Sequence, residues 1–405
     1  MVSRAQFLGG TTLGVLATSM TANTASAAEN GRMLIATDQG IAADGSAVNQ
    51  KINKLIDSLA KQGGGTIIFP PGTYGVDSQG IELKNQVSIM GLGEATHFRP
   101  LGDWKELAGV FRIGTHTTPS TQPAYRCGIH NLSIKTAKNP SEHTDSKPNA
   151  VGILFNTSNG DKPTDPDAAH RISGITLWDL DMGIILKGKD DQGCTVSEVR
   201  GRRFLRTALQ IGEKEADGGA DNMFSLIDFS SANLARIDCA TIEIYTANCS
   251  FSQVKAWYSK RSLSFADSVK AGAGYYIKGT RNTFNQCDAQ DNGGHGFVLE
   301  YPNNSLINCI ADSNGYAHNI SGAANPSEAH GFHILKGARG VQLIGCQSFN
   351  RTKDQPGQQV GFWVDQDNHQ VTLIGSTAAN TESAAQTGDL KGSQSLIESD
   401  QIDQQ

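Results

Sequence analysis

A five-residue frame recurs at least ten times along the chain: a small or polar residue, an apolar residue, any residue, a turn-forming residue and a second apolar residue. The ten copies begin at Ser88, Gly128, Thr176, Thr195, Ser225, Ser250, Thr283, Ser305, Gln342 and Thr372. A repeat of this kind is typical of a solenoid, in which each unit packs against its neighbours. We predict one strand per frame, with positions two and five facing the core and positions three and four facing outward.

A second apolar strand recurs late in the chain, and an Asn lies between the two kinds of strand. The second strands are residues 274–277, 296–299, 331–334 and 361–364, and the Asn residues are Asn292, Asn314, Asn350 and Asn380. Asn tolerates the left-handed backbone of a tight corner. The pattern therefore predicts an all-β fold, a right-handed, single-stranded parallel β-helix of about ten or more rungs.

The intervals between frames are unequal, so we expect inserted loops at one corner of the β-helix. They fall around residues 93–125, 136–170, 212–222, 258–273, 317–329 and 352–359. Ahead of the rungs, apolar residues at helical spacing predict a short capping helix over residues 47–61, followed by a strand over 66–69. The β-helix itself is predicted over 81–381, after an N-terminal cap over 28–80 and before a polar tail over 382–405.

The first 27 residues have the pattern of a secretion signal. Residues 7–20 are mostly apolar, and Ala25-Ser26-Ala27 fits a cleavage site of small residues. We therefore expect a secreted protein, extracellular or periplasmic. No later segment has the roughly 20 apolar residues that a membrane span needs.

Composition excludes nucleic acid as a partner and assigns the cysteines to the core. The formal net charge is −6, and no basic block occurs. Six of the 7 cysteines fall at inward positions, three at the last frame position and three just before a frame. Free Cys behaves as a small apolar residue in a core, so we expect few or no disulfides. No Cys/His spacing resembles a zinc site.

The N-terminal region resembles a known superfamily. Asp44-Gly45-Ser46, the predicted helix and the run from Gly63 to Tyr74 are similar to the N-terminal signature of the pectate-lyase-like parallel β-helix superfamily. That superfamily includes polysaccharide lyases, polygalacturonase-related hydrolases, fructotransferases and phage tailspikes. The resemblance implies the fold and a carbohydrate partner, but not one chemistry, because one fold hosts several activities. No catalytic residue of the superfamily is carried over.

The fourth frame position has carboxylates in three consecutive frames, Asp179, Glu198 and Asp228. Successive rungs of a parallel sheet lie about 4.8 Å apart. Stacked carboxyl groups would then have the separations of about 5–9.5 Å that glycoside hydrolases use. We predict that the three act as acid, base or nucleophile, with roles unassigned. Asp179 and Asp228 are equally explained as bend residues, and stacked carboxylates could also bind Ca²⁺.

Five further residues are candidates for substrate binding, because they are aromatic or cationic and flank the predicted acidic column. They are His130, Trp178, Arg202, Lys255 and Trp257. An exposed Trp can stack on a sugar ring. Four residues on another face of the β-helix are predicted to be ordinary surface residues: His295, His330, Trp363 and Asp365.

These observations predict a carbohydrate-active enzyme that cleaves or transfers a glycosidic bond. One alternative is a polysaccharide lyase or uronate epimerase in which Arg202, Lys255 or Arg261 acts together with a metal held by the carboxylates. The other is a non-catalytic glycan-binding β-helix of tailspike type. A homotrimer is one assembly consistent with this alternative.

Overall fold

The computed structural model describes residues 32–122, 124–138, 142–158, 168–213, 218–322, 328–351, 357–365, 370–379, 381 and 383–387. The strands in chain order are β1 Met33–Ile35, β2 Asp44–Ala47, β3 Gly65–Ile68, β4 Gly72–Val76, β5 Ile81–Glu82, β6 Val87–Met90, β7 Thr96–Pro100, β8 Ala108–Ile113, β9 Gly128–Lys135, β10 Lys147–Phe155, β11 Arg171–Trp178, β12 Leu180–Leu186, β13 Thr195–Arg202, β14 Leu209–Ile211, β15 Met223–Ser230, β16 Ile242–Ile244, β17 Ser250–Trp257, β18 Arg261–Ser262, β19 Tyr275–Ile277, β20 Thr283–Asn285, β21 Asp288–Gln290, β22 Phe297–Leu299, β23 Ser305–Ile307, β24 Ile310–Asp312, β25 Ile320–Ser321, β26 Ala329–Ile334, β27 Val341–Ile344, β28 Gln347–Phe349, β29 Gln358–Val364, β30 Val371–Ile374, β31 Thr377–Ala379 and β32 Ser383–Thr387. The α-helix α1 spans Asn49–Lys61, and short 3-10 helices span Thr37–Gln39, Leu263–Phe265 and Ala317–Asn319. The predicted secretion signal lies outside the described residues.

The strands form two long parallel sheets around one apolar core. Sheet A has 19 strands, sheet B has 11, and β18 and β25 form a two-stranded sheet C. Successive turns of the chain add one rung to each long sheet, as in the pairings β13–β15–β17 of sheet A and β14–β16–β19 of sheet B. The predicted right-handed parallel β-helix is confirmed.

Like side chains stack from rung to rung in the core. Phe224, Phe251 and Phe284 of sheet A lie face to face with ring centroids 4.8 and 4.7 Å apart. All seven cysteines are buried and free. The six that were predicted at inward positions belong to the apolar core, which confirms that prediction. Such ladders keep large inward side chains in register without disulfides.

The parallel rungs extend beyond the predicted bounds at both ends. β3 pairs with β6 and β4 pairs with β7, so strands of the predicted cap build the first rungs. The predicted helix is present as α1, with Ile52, Ile56 and Leu59 buried. At the other end, part of the predicted tail forms β32, which pairs with β29. Within the described chain, no helix has the length and hydropathy of a membrane span.

Each long rung of sheet A bends at one residue with positive φ. The residues at this position, here called the bend column, are Asn131, Gly174, Glu198, Leu226, Gln253, Gln286, Asn308, Gly345 and Gly375. Positive φ suits Gly and Asn but is disfavoured for other residues. The bend column divides the outer surface of sheet A into a half before the bend and a half after it.

Candidate active site

The structure changes the register that the frame assigned to two rungs. Strand pairing aligns Glu198 with Gly174 and Leu226, whereas the frame aligned it with Asp179 and Asp228. β11 and β15 have 8 residues each and alternate apolar residues on both sides of the bend. A five-residue frame therefore fits them at more than one offset. The prediction that the three carboxylates share one column is wrong.

Asp179 follows the end of β11, and its side chain is fully buried. Arg203 Nε donates a hydrogen bond to Oδ1 at 2.7 Å, and the Thr144 backbone N–H donates to Oδ2 at 3.2 Å. His143 Nδ1 lies 3.5 Å from Oδ2. The carboxylate thus ties residues 143–144 to the end of the next rung, which favours a structural role over a catalytic one.

Asp179→Asn is expected to lower the free energy of unfolding by about 2 kcal/mol, because Arg203 loses a charge-assisted hydrogen bond. Asn tolerates the positive φ of this position, 59°. Denaturant unfolding at neutral pH measures the change. The matched control is Asp38→Asn at an exposed site, with an expected change within about 0.5 kcal/mol. Equal unfolding free energies for the two variants would contradict the structural role.

Five predicted residues do lie together on sheet A, although not in one column. Asp228 and Lys255 are neighbours in the first outward column after the bend. Arg202 and Trp257 share the second. Trp257 Nε1 donates a hydrogen bond to Asp228 Oδ1 at 2.5 Å. Arg202 Cζ and Lys255 Nζ lie 5.8 and 5.2 Å from the centroid of the Trp257 ring. Glu198 is exposed at the bend beside them.

The other two predicted binding residues have intramolecular partners. Lys135 Nζ lies 3.8 Å from the Trp178 ring centroid, and the His143 ring lies 4.7 Å away. His130, before the bend, shares a 2.8 Å hydrogen bond between Nδ1 and Ser173 Oγ. These contacts favour packing roles for Trp178 and His130.

A deeper site lies on the outer face of sheet B. His295, His330 and His333 are buried, and one ring nitrogen of each lies within 4.8 Å of the others. The imidazoles line a cavity of about 670 Å³ together with Arg261, Glu328, Trp363, Asp365 and residues of the 263–269 segment. We call this cavity the histidine pocket. The prediction that His295 and His330 are surface residues is wrong, because segments over sheet B cover them.

Sheet pairing and two inserted segments build the pocket. His333 lies in register with Val298 and Trp363 on neighbouring rungs, and all three point away from the core. Sheet C, which joins β18 to β25, brings the predicted inserts at 258–273 and 317–329 together. Arg261 begins β18 and is 3% exposed, and its side chain lines the cavity.

The hydrogen bonds fix the tautomers of two imidazoles. Asp365 Oδ1 lies 2.9 Å from His333 Nε2, so in the neutral imidazole Nε2 carries the proton and Nδ1 has the lone pair. The His330 backbone N–H donates to His295 Nδ1 at 2.9 Å, so the proton of neutral His295 is on Nε2. Nδ1 of His333 and Nδ1 of His330 are buried with no hydrogen-bond partner among the described residues. His333 therefore presents a basic nitrogen while a carboxylate holds its opposite side.

Burial keeps the neighbouring imidazoles neutral. It lowers the pKa of His330 to about 3, and the adjacent His333 adds to the shift. Burial, followed by repulsion from His333 and His330, holds the pKa of His295 well below its usual value. For Asp365, burial would raise the pKa, but hydrogen bonds from His333 and Trp363 lower it overall. Asp365 is thus an anion that can stabilise an imidazolium on His333.

Arg261 supplies unpaired hydrogen-bond donors to the same cavity. Its Nη2 donates to the Ala266 carbonyl at 2.8 Å. Nε and Nη1 are buried without a partner in the described part of the chain. Burial lowers the pKa of Arg261, and the charge of Glu328 opposes that change. The free Nε–H and Nη1–H groups lie on different sides of the guanidinium, and each can donate a hydrogen bond to an anionic ligand such as a carboxylate.

Trp363 supplies an aromatic surface at the pocket. Its ring stacks on His330 with centroids 4.5 Å apart and planes 5° apart, and its Nε1 donates to Asp365 Oδ1 at 3.1 Å. A half-buried indole beside polar groups is suited to pack against a sugar ring. Trp363 and Asp365 are therefore pocket residues and not the ordinary surface residues predicted from the sequence.

The three imidazoles also lie close enough together to be considered as metal ligands. The tautomers argue against a complete three-histidine centre. His295 Nδ1 already accepts a hydrogen bond from the His330 backbone N–H, and Nε2 of the neutral ring carries the proton. A metal ligand must offer a lone pair, and its second nitrogen normally donates a hydrogen bond. Only His333 has that arrangement, through Asp365.

Comparison with known proteins supports the fold. No family model matches the chain, and no curated protein matches it in sequence. The chain is similar to the A-module of a mannuronan C-5 epimerase from Azotobacter vinelandii, with a TM-score of 0.59, 14% identity, and 87% of this chain and 97% of that chain covered. For a second such A-module the TM-score is 0.54 and the identity 14%, with coverage of 92% and 100%.

A phage protein gives a similar match. A mutant tailspike of E. coli bacteriophage HK620, solved with a pentasaccharide, aligns with a TM-score of 0.56 and 12% identity over 84% of this chain and 60% of that chain. The resemblance to the parallel β-helix superfamily is thus confirmed for the fold.

Proposed function

We propose that this parallel β-helix is an enzyme acting on an acidic polysaccharide, and that the histidine pocket removes the C5 proton of a uronate residue. The outcome is either β-elimination or epimerisation. The observation that supports this most strongly is the pairing of two complementary groups in one cavity. Arg261 has two buried, unpaired N–H groups, and His333 has a lone pair opposite a carboxylate-bound N–H.

The proposed reaction uses Arg261, His333 and Asp365, with water as a proton donor. Arg261 binds the uronate carboxylate and stabilises the charge that develops on it when the C5–H bond breaks. His333 Nδ1 takes the C5 proton, and Asp365 stabilises the imidazolium that forms. The electron pair of the broken bond moves into the carboxylate. In epimerisation, C5 then accepts a proton from water on its opposite face, and His333 later releases its proton to solvent.

In elimination, the same electron pair forms the C4–C5 double bond. The C4–O bond breaks, and the leaving oxygen takes a proton from His333 or water. Pocket size is compatible with one sugar residue, and Trp363 offers a surface for its ring. The similar solved proteins include ones named as mannuronan C-5 epimerases and one bound to a pentasaccharide. These names support a glycan substrate for this chain.

The sequence predicted that three carboxylates hydrolyse a glycosidic bond, and we propose C5 proton removal in the histidine pocket instead. Hydrolysis needs an acid and a second carboxylate on opposite sides of one bond. Asp179 is buried against Arg203, Glu198 is exposed in the bend column, and Asp228 accepts from Trp257. Because Asp179 is engaged by Arg203 and the three carboxylates do not share one column, the histidine pocket is the better supported site. Arg261, named in the lyase or epimerase alternative, is the residue that the two accounts share.

Incubation with polyuronates of defined composition tests the proposal. We expect the protein to convert at least one of polymannuronate, polyguluronate, polygalacturonate or a glucuronate-containing polymer. Ultraviolet absorbance detects unsaturated ends, and proton NMR detects inverted C5 centres. New reducing ends without either signal would indicate hydrolysis and would contradict the proposal. Retention of the polymers on the protein without conversion would support the glycan-binding alternative instead.

A further inference from the structure

We propose that sheet A contains a second, separate glycan site, an axial groove after the bend that holds an extended, uncharged stretch of a glycan. The groove is lined by Gln253, Lys255, Gln286, Asp288, Asn308 and Gln347. It lies on sheet A, whereas the histidine pocket lies on sheet B. The inference does not depend on the reaction proposed for that pocket.

The groove follows the helix axis. Its volume is about 470 Å³, and its lining comes from four consecutive rungs. One side is the bend column and the other is the first outward column after it. At about 4.8 Å per rung, equivalent side chains repeat at nearly the length of one pyranose unit in an extended chain. A linear glycan along the axis would meet one residue of the bend column and one of the outward column at each sugar.

In two rungs of the groove, the bend column is occupied by Gln residues, for which positive φ is unfavourable. Gly174 and Gly375 occupy rungs outside the groove and Gly345 occupies its last rung, and Gly adopts positive φ at little cost. Gln253 and Gln286 adopt φ of 55° and 53°, and both side chains are exposed. Non-glycine residues in this region cost of order 1–3 kcal/mol and often occur at ligand sites.

The two glutamine side chains contact mainly each other and solvent. Gln253 Nε2 donates to Gln286 Oε1 at 3.3 Å. Side-chain amides in this arrangement leave donors and acceptors directed outward, as sugar hydroxyls require. Glu198 and Leu226 adopt the same positive φ outside the groove, so it is the exposed amides that point to a ligand here.

The adjacent column alternates in charge, which decides what kind of glycan fits. Strand pairing places Arg200, Asp228, Lys255 and Asp288 on successive rungs. Burial raises the pKa of Asp288, and Lys255 opposes that shift. Within the groove this column continues from Lys255 and Asp288 to the uncharged Ile310 and Gln347. A polyanion would meet one cation and one carboxylate there, so repulsion would offset the attraction. An uncharged chain can instead hydrogen-bond to both signs.

Trp257 extends the site on its far side. Its ring lies in the next outward column beside Lys255, and its N–H is fixed by Asp228. A fixed, half-buried indole next to hydrogen-bonding groups favours stacking of a sugar ring. Lys255 and Trp257, which the sequence predicted as substrate-binding residues, belong to this proposed site and not to the histidine pocket.

Affinity electrophoresis tests the groove with defined probes: dextran, glucomannan, xyloglucan and hydroxyethylcellulose as uncharged polymers, and alginate as the acidic control. We expect the wild type to be retarded by at least one uncharged polymer. Gln253→Gly combined with Gln286→Gly should weaken that retention by about tenfold or more through lost hydrogen bonds. The same variant should be no less stable to heat, because Gly suits positive φ.

Three outcomes would overturn the groove: no retardation by any uncharged polymer, unchanged retention in the double variant, or weaker retention accompanied by a loss of thermal stability. Gln342→Ala is the matched control, because Gln342 is exposed on sheet A before the bend. Arg261→Gln separates the two proposals. It should leave retention by uncharged polymers intact, whatever happens to polyuronate conversion.

Discussion

His333→Gln is expected to lower turnover of the accepted polyuronate by about 10²–10⁴-fold, the usual contribution of a general base. Gln keeps a polar side chain next to Asp365 but has no basic nitrogen for the C5 proton. Asp365→Asn should have a smaller effect and should shift the pH profile of kcat/KM, because it removes the anion that holds His333 Nε2. Steady-state rates measured over a range of pH check both expectations.

The matched control is His318→Gln, which replaces an exposed histidine of an inserted segment. It should turn over at the wild-type rate. Thermal unfolding separates loss of the base from loss of the fold. A folded His333→Gln enzyme with turnover within about twofold of wild type would show that His333 is not the base.

Acid is expected to destabilise the protein strongly, by about 5 kcal/mol between pH 7 and pH 5. Three buried imidazoles are responsible. Burial lowers the pKa of His97 to about 4 and that of His330 to about 3, and it holds the pKa of His295 well below its usual value. The unfolded chain takes up protons below about pH 6.5, whereas the folded chain does not. Stability is therefore present above that pH and is lost as the pH falls.

Urea unfolding at pH 7, 6 and 5 measures the slope. Each depressed histidine contributes up to about 1.4 kcal/mol per pH unit. His170 and Asp191 form a further buried pair, 3.7 Å apart. Burial lowers the pKa of His170 and raises that of Asp191, and these two shifts act on stability in opposite directions. Constant unfolding free energy from pH 7 to pH 5 would contradict neutral, buried histidines.

The rung pattern was predictable because apolar alternation directly reports which side chains face the core. Stacked phenylalanines and cysteines follow from the same positions on successive rungs. The helix α1 follows from apolar residues at helical spacing. Register was less secure where a strand continues its alternation past the bend. In β15 the frame fitted two residues too late, so Leu226 and not Asp228 occupies the bend column. A period of two cannot distinguish such offsets.

The histidine pocket depended on information that periodicity does not contain. His295 and His330 precede the Gly-Phe of a sheet B strand, near a corner where alternation does not assign a side, and the covering segments bury them. Arg261 reaches the cavity because β18 pairs with β25, a long-range contact between two inserts. The available sequence signal was the repeated His before Gly-Phe at residues 295 and 330, next to two of the longer inserts. Its interpretation as ordinary surface overlooked what those inserts cover.

The central claim is that the histidine pocket breaks a C5–H bond, and the fate of that hydrogen tests it most directly. An accepted polyuronate labelled with deuterium at C5 is incubated with the wild-type protein in ordinary water, and product and solvent are analysed together. We expect deuterium to enter the solvent in step with product formation, and His333→Gln to suppress both. Product that retains all of its C5 deuterium, as hydrolysis would leave it, would contradict the account.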